Sequence, residues 1–184
     1  MQNFFASLAP LTEKDLTTLA GITRSLELRR GSIWIKAGEQ NREIGLVQSG
    51  CLRRYYVKDG EEITDYFYFA NDFTGDLASI LSGNAPAANI VALQPTMLYT
   101  FSYDDFIRLC VTSPRLEHLY RLMLEKTFVL FYERSVSFIT NTPQQRYNRL
   151  IASRPDIMQL AAVQHVASYL GITTQHLSRI RAGN

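Results

Sequence analysis

Gln175, Ser178 and Arg179 stand at i, i+3 and i+4 and would share one face of a helix. Leu177 and Ile180 would form its other face, and Thr173 is placed to cap it by accepting from an orphan backbone N–H. Just before it, apolar Val163, Val166, Ala167 and Leu170 give the stripe of a short amphipathic helix. Gly171 can end that helix with positive φ, Ile172 can plug the corner, and the small Ala167 lets two helices cross closely. Helix, glycine turn, then helix with a polar, basic outer face is the helix-turn-helix pattern, whose chemistry is hydrogen bonding to duplex DNA. The same spacing also suits an ordinary αα-hairpin in a core, so the rest of the chain has to decide.

The elements that would position this motif follow from the whole sequence. A chain of 184 residues can hold one large domain or two small ones around a real core. No run of ~18 apolar residues and no charged-then-apolar leader is visible, and Cys51 and Cys110 have no metal or cluster spacing. A reduced, cytoplasmic protein off the membrane is the simplest expectation. The net charge of +2 is uneven. Residues 1–114 carry 10 Lys and Arg against 13 Asp and Glu, whereas residues 115–184 carry 9 against 4. The basic excess, mostly Arg, sits with the candidate motif and suits phosphate and guanine edges.

Thr12 with Asp15 has the form of a capping box before a short helix over 11–20. From Gly31 the period changes. Strands are expected over 32–36, 44–48, 52–57, 63–69, 89–93 and 97–101, with Asp59-Gly60 as a hairpin turn. Short strands between frequent glycines predict a β-roll or jelly-roll barrel. Tyr103 to Val111 reads as a helix. Ser113-Pro114 then starts a long one to about 140, apolar on nearly all sides. One of its faces can cover the barrel. Leu116, Leu119, Met123 and Leu130 roughly track heptad spacing and are expected to meet a second copy, a wholly intrachain helix being the alternative. Thr142-Pro143 starts another helix, ended by Arg154-Pro155. The expected fold is α+β, with domains 1–113 (β-roll sensor), 114–141 (dimerisation helix) and 142–184 (helix-turn-helix).

This order resembles the Crp/Fnr family of bacterial transcription regulators. The matching stretches are Arg30-Gly31-Ser32-Ile33 with Lys36-Ala37-Gly38-Glu39, Ile44 to Arg53, Asn71 to Leu77, and Val166 to Ile172 with Leu177 to Arg181. Each glycine motif alone is weak, but their order and spacing cover nearly the whole chain. The resemblance implies a homodimer that binds double-stranded DNA, with RNA polymerase as a further partner and no catalysis. By position it implies base contacts from Thr174, Gln175, Ser178 and Arg179, with Arg179 suited to guanine and Gln175 to adenine. Thr173, His176 and Arg181 would be phosphate contacts or caps. The sequence ends three residues after Arg181, so the wing that follows in many members is expected to be missing.

The resemblance also places an effector site in the roll. Gly75-Asp76-Leu77 matches the front of the family's phosphate cassette, but Pro86 stands where its Arg would be and Ala87 where its hydroxyl would be. No Lys or Arg occurs between Lys58 and Arg108, so a cyclic phosphate would be buried without its cation, and cyclic AMP is not expected to bind. An iron–sulfur member needs about four cysteine ligands, and a haem member a histidine that residues 1–117 do not contain. No cofactor is therefore expected. The remaining pocket would be apolar, walled by Phe67, Phe69, Leu77, Ile80, Phe131 and Tyr132, with Asp76 and Tyr132 as polar handles. It would take a small apolar or aromatic effector, unless side chains fill the barrel. Two other classes are weighed. A cupin-type enzyme needs barrel histidines for its metal. An interaction module whose helix-turn-helix no longer binds DNA stays open.

Overall fold

A computed structural model describes Phe5 and residues 9–183. Among the described residues eight strands form two four-stranded antiparallel sheets, β1(Arg24–Leu28)-β8(Thr96–Ser102)-β3(Glu43–Ser49)-β6(Phe73–Thr74) and β2(Ile33–Ile35)-β7(Asn89–Ala92)-β4(Leu52–Lys58)-β5(Glu61–Tyr68). Strand alternation sorts their side chains. Leu28, Val47, Leu52, Ile90 and Leu98 meet between the sheets, while Ile44, Leu46 and Phe101 point out of the first sheet toward helices. Asp59 and Gly60 both have positive φ, the type I′ geometry that closes the β4–β5 hairpin.

Helices α1(Glu13–Ile22), α2(Leu77–Ser82), α3(Tyr103–Thr112) and the 27-residue α4(Pro114–Thr140) flank the roll. α5(Pro143–Ser153), α6(Ile157–Leu160), α7(Val163–Leu170) and α8(Thr174–Ala182) complete the chain. The expected caps are made: Thr12 and Asp15 form a reciprocal capping box, Thr142 and Gln145 form another, and Ser113 caps α4 ahead of Pro114. Asp15 also accepts from Ser113 Oγ at 2.9 Å and Arg115 Nε at 2.8 Å, tying α1 to the start of α4. Thr12 and these donors hold its carboxyl below the usual range despite burial. Four short elements, β1, β6, α2 and α6, are additions to the sequence-based expectation. β1 alternates too weakly to stand out, and the others are too short for a period.

The long helix corrects one expectation. Leu116, Leu119 and Met123 are 1%, 0% and 8% exposed and pack on Phe101, Phe106 and Cys110 of their own chain. Leu130 is half-buried and lines two clefts. Leu116, Leu119 and Met123 therefore face the roll and are not open to a second copy. The opposite face carries Phe128, Tyr132 and Ile139 at 70%, 60% and 84% exposure. With Ser135 they follow the 4-3-4 spacing of a heptad seam. Both stripes have heptad-like spacing, so period alone could not say which one the roll would cover.

Candidate nucleic-acid interface and sensor cavity

α7 and α8 form the expected helix-turn-helix. Gly171 takes φ 69°, and the N–H groups of Gly171 and Ile172 return to Ser168 and Ala167 carbonyls in a Schellman closure. Val166, Ala167, Leu170 and Leu177 are buried in one cluster with Leu150 and Ile157. Val163, at the first turn of α7, stays 39% exposed and lies outside that stripe. Thr173 caps α8 by accepting from His176 N at 3.2 Å.

Burial of Leu177 and Ile180 turns the other side of α8 to solvent. Gln175, Ser178, Arg179 and Arg181 are exposed there, as is Thr173, and Thr174 is half-buried. The Thr174 hydroxyl sits 3.3 Å from Gln175 Oε1. Neither Arg179 nor Arg181 takes part in an ion pair among the described residues. The sequence-predicted reading residues therefore share one accessible face.

The first helix of the motif is docked on the roll. β5 is the edge strand of its sheet. The Ser168 hydroxyl accepts from Thr64 N at 2.9 Å and donates to Glu62 O at 3.4 Å, covering backbone groups that an open edge would expose. Phe67 packs at 5.2 Å on Tyr169, and His165 Nε2 lies 3.6 Å from Glu62, which also pairs with Arg53. Two arginines hold the last turn of α7. Arg146 donates twice to Leu170 O, at 3.1 and 3.0 Å, and Arg134 Nη2 donates to Tyr169 O at 3.1 Å. Cations on terminal carbonyls complement the helix dipole.

A cavity of about 380 Å³ lies between the roll and α4. Of the residues read from the sequence as an effector pocket, Gly75, Asp76, Leu77 and Phe131 line it. Phe67 and Phe69 do not: they face the helix-turn-helix cluster, and the cavity is lined from β5 by Tyr66 and Tyr68. One step along a strand reverses the face, and an irregularity between Arg54 and Tyr55 shifts the β4–β5 register. Tyr132 is also outside the cavity, stacked on Phe128 at 6.0 Å on the exposed face of α4. Pro86 is buried with its carbonyl accepting from Gly38 N, Ala87 is exposed, and neither lines the cavity. Ile80 packs in the helix-side core instead. Asp76 lines the cavity and caps α2 by accepting from Ser79 N at 3.1 Å.

Sequence reading missed Arg54, Tyr66, Tyr68, Tyr103 and Tyr120 in the cavity wall, and Arg134 and Arg146 as clamps. The Tyr66/Tyr68 alternation was the available signal for the first group. Cys51 and Cys110 are both buried, with thiols pushed up by burial to about 12 and about 11. Among the described residues no three or more His, Cys, Asp or Glu converge as a metal site, so the donor set does not fit a four-thiolate cluster. No helix of the described residues is long and apolar enough to cross a membrane.

A family model, the cyclic nucleotide-binding domain, matches residues 25–113. Over 92% of its length the chain is 25% identical to the regulatory protein HlyX of Actinobacillus pleuropneumoniae, covering 75% of that protein. It is also 25% identical over 92% of its length to the fumarate and nitrate reduction regulatory protein of Escherichia coli (strain K12), covering 72% of it. Among solved structures, a transcriptional regulator of the crp/fnr family from Eubacterium rectale superposes with a TM-score of 0.75 at 18% identity, covering 98% of this chain and 87% of that one.

Proposed function

We propose that the chain is a regulator of the Crp/Fnr type, a dimeric DNA-binding transcription regulator of the cytoplasm, as the match of residues 25–113 and the regulatory relatives support. The observation that carries the reading is the face of α8: Gln175, Ser178 and Arg179 are exposed together because Leu177 and Ile180 are buried beneath them. Arg179 offers a fork to guanine and Gln175 an amide to adenine in the major groove, while Thr173, Thr174 and Arg181 hold register on phosphates. The division of labour is residues 1–113 as sensor, 114–141 as dimerisation helix and 142–184 as reader. Dimerisation uses the outward seam of Phe128, Tyr132, Ser135 and Ile139, whose spacing and exposure support it. No reaction is assigned to the chain.

The sensor does not take cyclic AMP in this reading. The cassette's cation is replaced by Pro86, which is turned away from the cavity, and the buried cation that does line it, Arg54, is already bonded to Asp65. A cyclic phosphate would have to compete with that carboxylate. Calorimetric titration with cyclic AMP is expected to show no binding at micromolar concentrations.

The test of the function is titration of random duplex DNA at several salt concentrations. A steep linear fall of log K with log salt is the regulator's signature. An absence of binding even at low salt would leave a protein-interaction module with a degenerate helix-turn-helix.

A further inference from the structure

We propose that the cavity takes an uncharged aromatic molecule bearing a hydrogen-bond acceptor, and that Arg54, Asp65 and Arg134 carry its presence to the first helix of the helix-turn-helix. The proposal rests on the reading of the chain as a regulator and names the effector class and wiring of that sensor.

Size comes first. About 380 Å³ is within the range of small-molecule sites and more than twice the ~150 Å³ that already admits benzene. Eight aromatic side chains line the cavity, among them Tyr66, Tyr68, Phe73, Phe106, Tyr120 and Phe131. Tyr66 lies 5.9 Å from Phe131 and 4.9 Å from Tyr68, leaving ring faces and edges for a planar guest.

Charge selects against ions. The lining carries two cations, Arg54 and Lys126, and two carboxylates, Asp72 and Asp76, so its formal sum is zero. Arg54 Nε and Nη2 both donate to Asp65 Oδ2, and Asp76 is engaged as the cap of α2. A charged guest would lose its hydration and find no uncommitted buried counter-charge.

The polar groups that remain are hydroxyls. Thr74 is 3% exposed, lines the cavity, and its Oγ1 has no hydrogen-bond partner. The Tyr103 and Tyr120 hydroxyls share one bond at 2.9 Å, so whichever phenol accepts keeps its own proton to donate. Burial raises the pKa of Tyr66 and Tyr120, and that of Tyr68 to about 12, so all three stay neutral. A ring of neutral donors fits a carbonyl or ether oxygen.

A continuous set of contacts leads out of the cavity. The Arg54 guanidinium lies 4.8 Å over the Phe131 ring of α4 and bonds Asp65 on β5. The other oxygen of Asp65 is 3.5 Å from Arg134 Nε. Arg134 donates to Tyr169 O and stacks 4.1 Å over the Tyr169 ring. A guest that displaces Phe131 or Arg54 therefore changes how Arg134 holds the last turn of α7. Tyr66 and Leu130 line both this cavity and the cleft around Arg134, so the two spaces share a wall.

The test uses the full chain and the neutral fluorescent probe N-phenyl-1-naphthylamine. Expected is a saturable emission gain, one site per chain, reversed by 2-acetylnaphthalene more readily than by 2-ethylnaphthalene by about 2- to 10-fold, and least by 2-naphthoate. Equal or better displacement by 2-naphthoate overturns the charge argument, and no probe binding overturns the site. Leu130→Trp fills the cavity and should abolish binding; undiminished binding there also overturns it. If that variant fails to fold, Thr74→Val keeps the volume and should narrow the preference for the ketone over the ethyl compound; an unchanged preference overturns the donor assignment. Hydrogen exchange over residues 167–172 should change when 2-acetylnaphthalene is added. The change should vanish in Arg134→Gln, which lies outside the cavity wall. No change in the unsubstituted, ligand-filled protein overturns the relay. Duplex binding by the ligand-free chain is measured separately: its loss with ligand binding intact would sink the regulator reading alone, and the reverse pattern would sink this proposal alone.

Discussion

The outer face of α8 is assembled from residues 173–181, whereas the cavity draws its wall from β3, β4, β5, β6, α2, α3 and α4 and the 75–76 turn. A side chain on the first surface meets mainly solvent and a future partner. A side chain on the second belongs to the core and to the cavity together, because α4 presses Leu116 and Leu119 into the roll while Met123, in the same core cluster, also lines the cavity with Leu130 and Phe131. Substitutions on the outward faces should therefore change association while sparing the fold, and substitutions on the inward faces should do the reverse. The two stripes of α4 state this contrast within one helix.

The largest effect is expected inward. Leu119→Ala should cost about 2–5 kcal/mol of stability, read from urea unfolding, because a fully buried side chain leaves a void. Its outward counterpart, Phe128→Glu, should move stability by no more than about 0.5 kcal/mol per chain at low protein concentration. In sedimentation it should convert dimer to monomer. A destabilised Phe128 variant, or a Leu119 variant that melts normally, would break the distinction between the stripes. Next comes Arg179→Ala, expected to weaken binding to a cognate duplex by about 1–3 kcal/mol and relax specificity at one base pair. Its thermal midpoint should match that of the unsubstituted chain.

The same contrast explains what was legible in advance. The reading face depends on 3.6-residue spacing, a glycine and a cap, all local, and Gln175, Ser178 and Arg179 are exposed together on α8. Six of the eight strands described were legible for the same reason, through alternation and the Asp59-Gly60 turn, and β1 and β6 were not. The cavity was half legible: its location followed from Gly75-Asp76-Leu77, but its wall depends on strand parity, and Phe67 and Phe69 were assigned to the face that Tyr66 and Tyr68 occupy. Leu116, Leu119 and Met123 read as a dimer stripe in the sequence for a related reason: a helix with apolar residues on most sides carries two seams, and the docked roll buries this one. The arginine clamps on α7 join residues far apart in sequence, and no local pattern announces such pairs.

A smaller effect tests how firmly the reader is held. Gly171 has φ 69°, and a Cβ there would sit 2.7 Å from Phe138 Cε1. Gly171→Ala should cost about 1–2 kcal/mol from backbone conformation alone. The loss should appear as faster hydrogen exchange across α7 and α8 while the roll keeps its protection. Uniform loss over the whole chain would mean that roll and reader unfold as one unit.

The smallest expected effect lies at the joint between the two regions. His165 of α7 faces Glu62 of β5 and Arg53 of β4, and its Nδ1 is buried without a partner. Burial is the main force lowering its pKa, Arg53 adds to it, and Glu62 offsets part. A histidine held below its unfolded value of 6.5 stabilises the folded state fully above that pH, and the contribution is lost as pH falls through the folded value. Acidification below 6.5 should therefore loosen α7 from the roll before the carboxylates titrate. His165→Gln has no proton to gain, so the difference in urea midpoint between the two chains should depend on pH across this window and level off above it. A difference that stayed constant across the window would mean that His165 titrates as freely in the docked helix as in the unfolded chain, and that the joint is wetter than its packing implies.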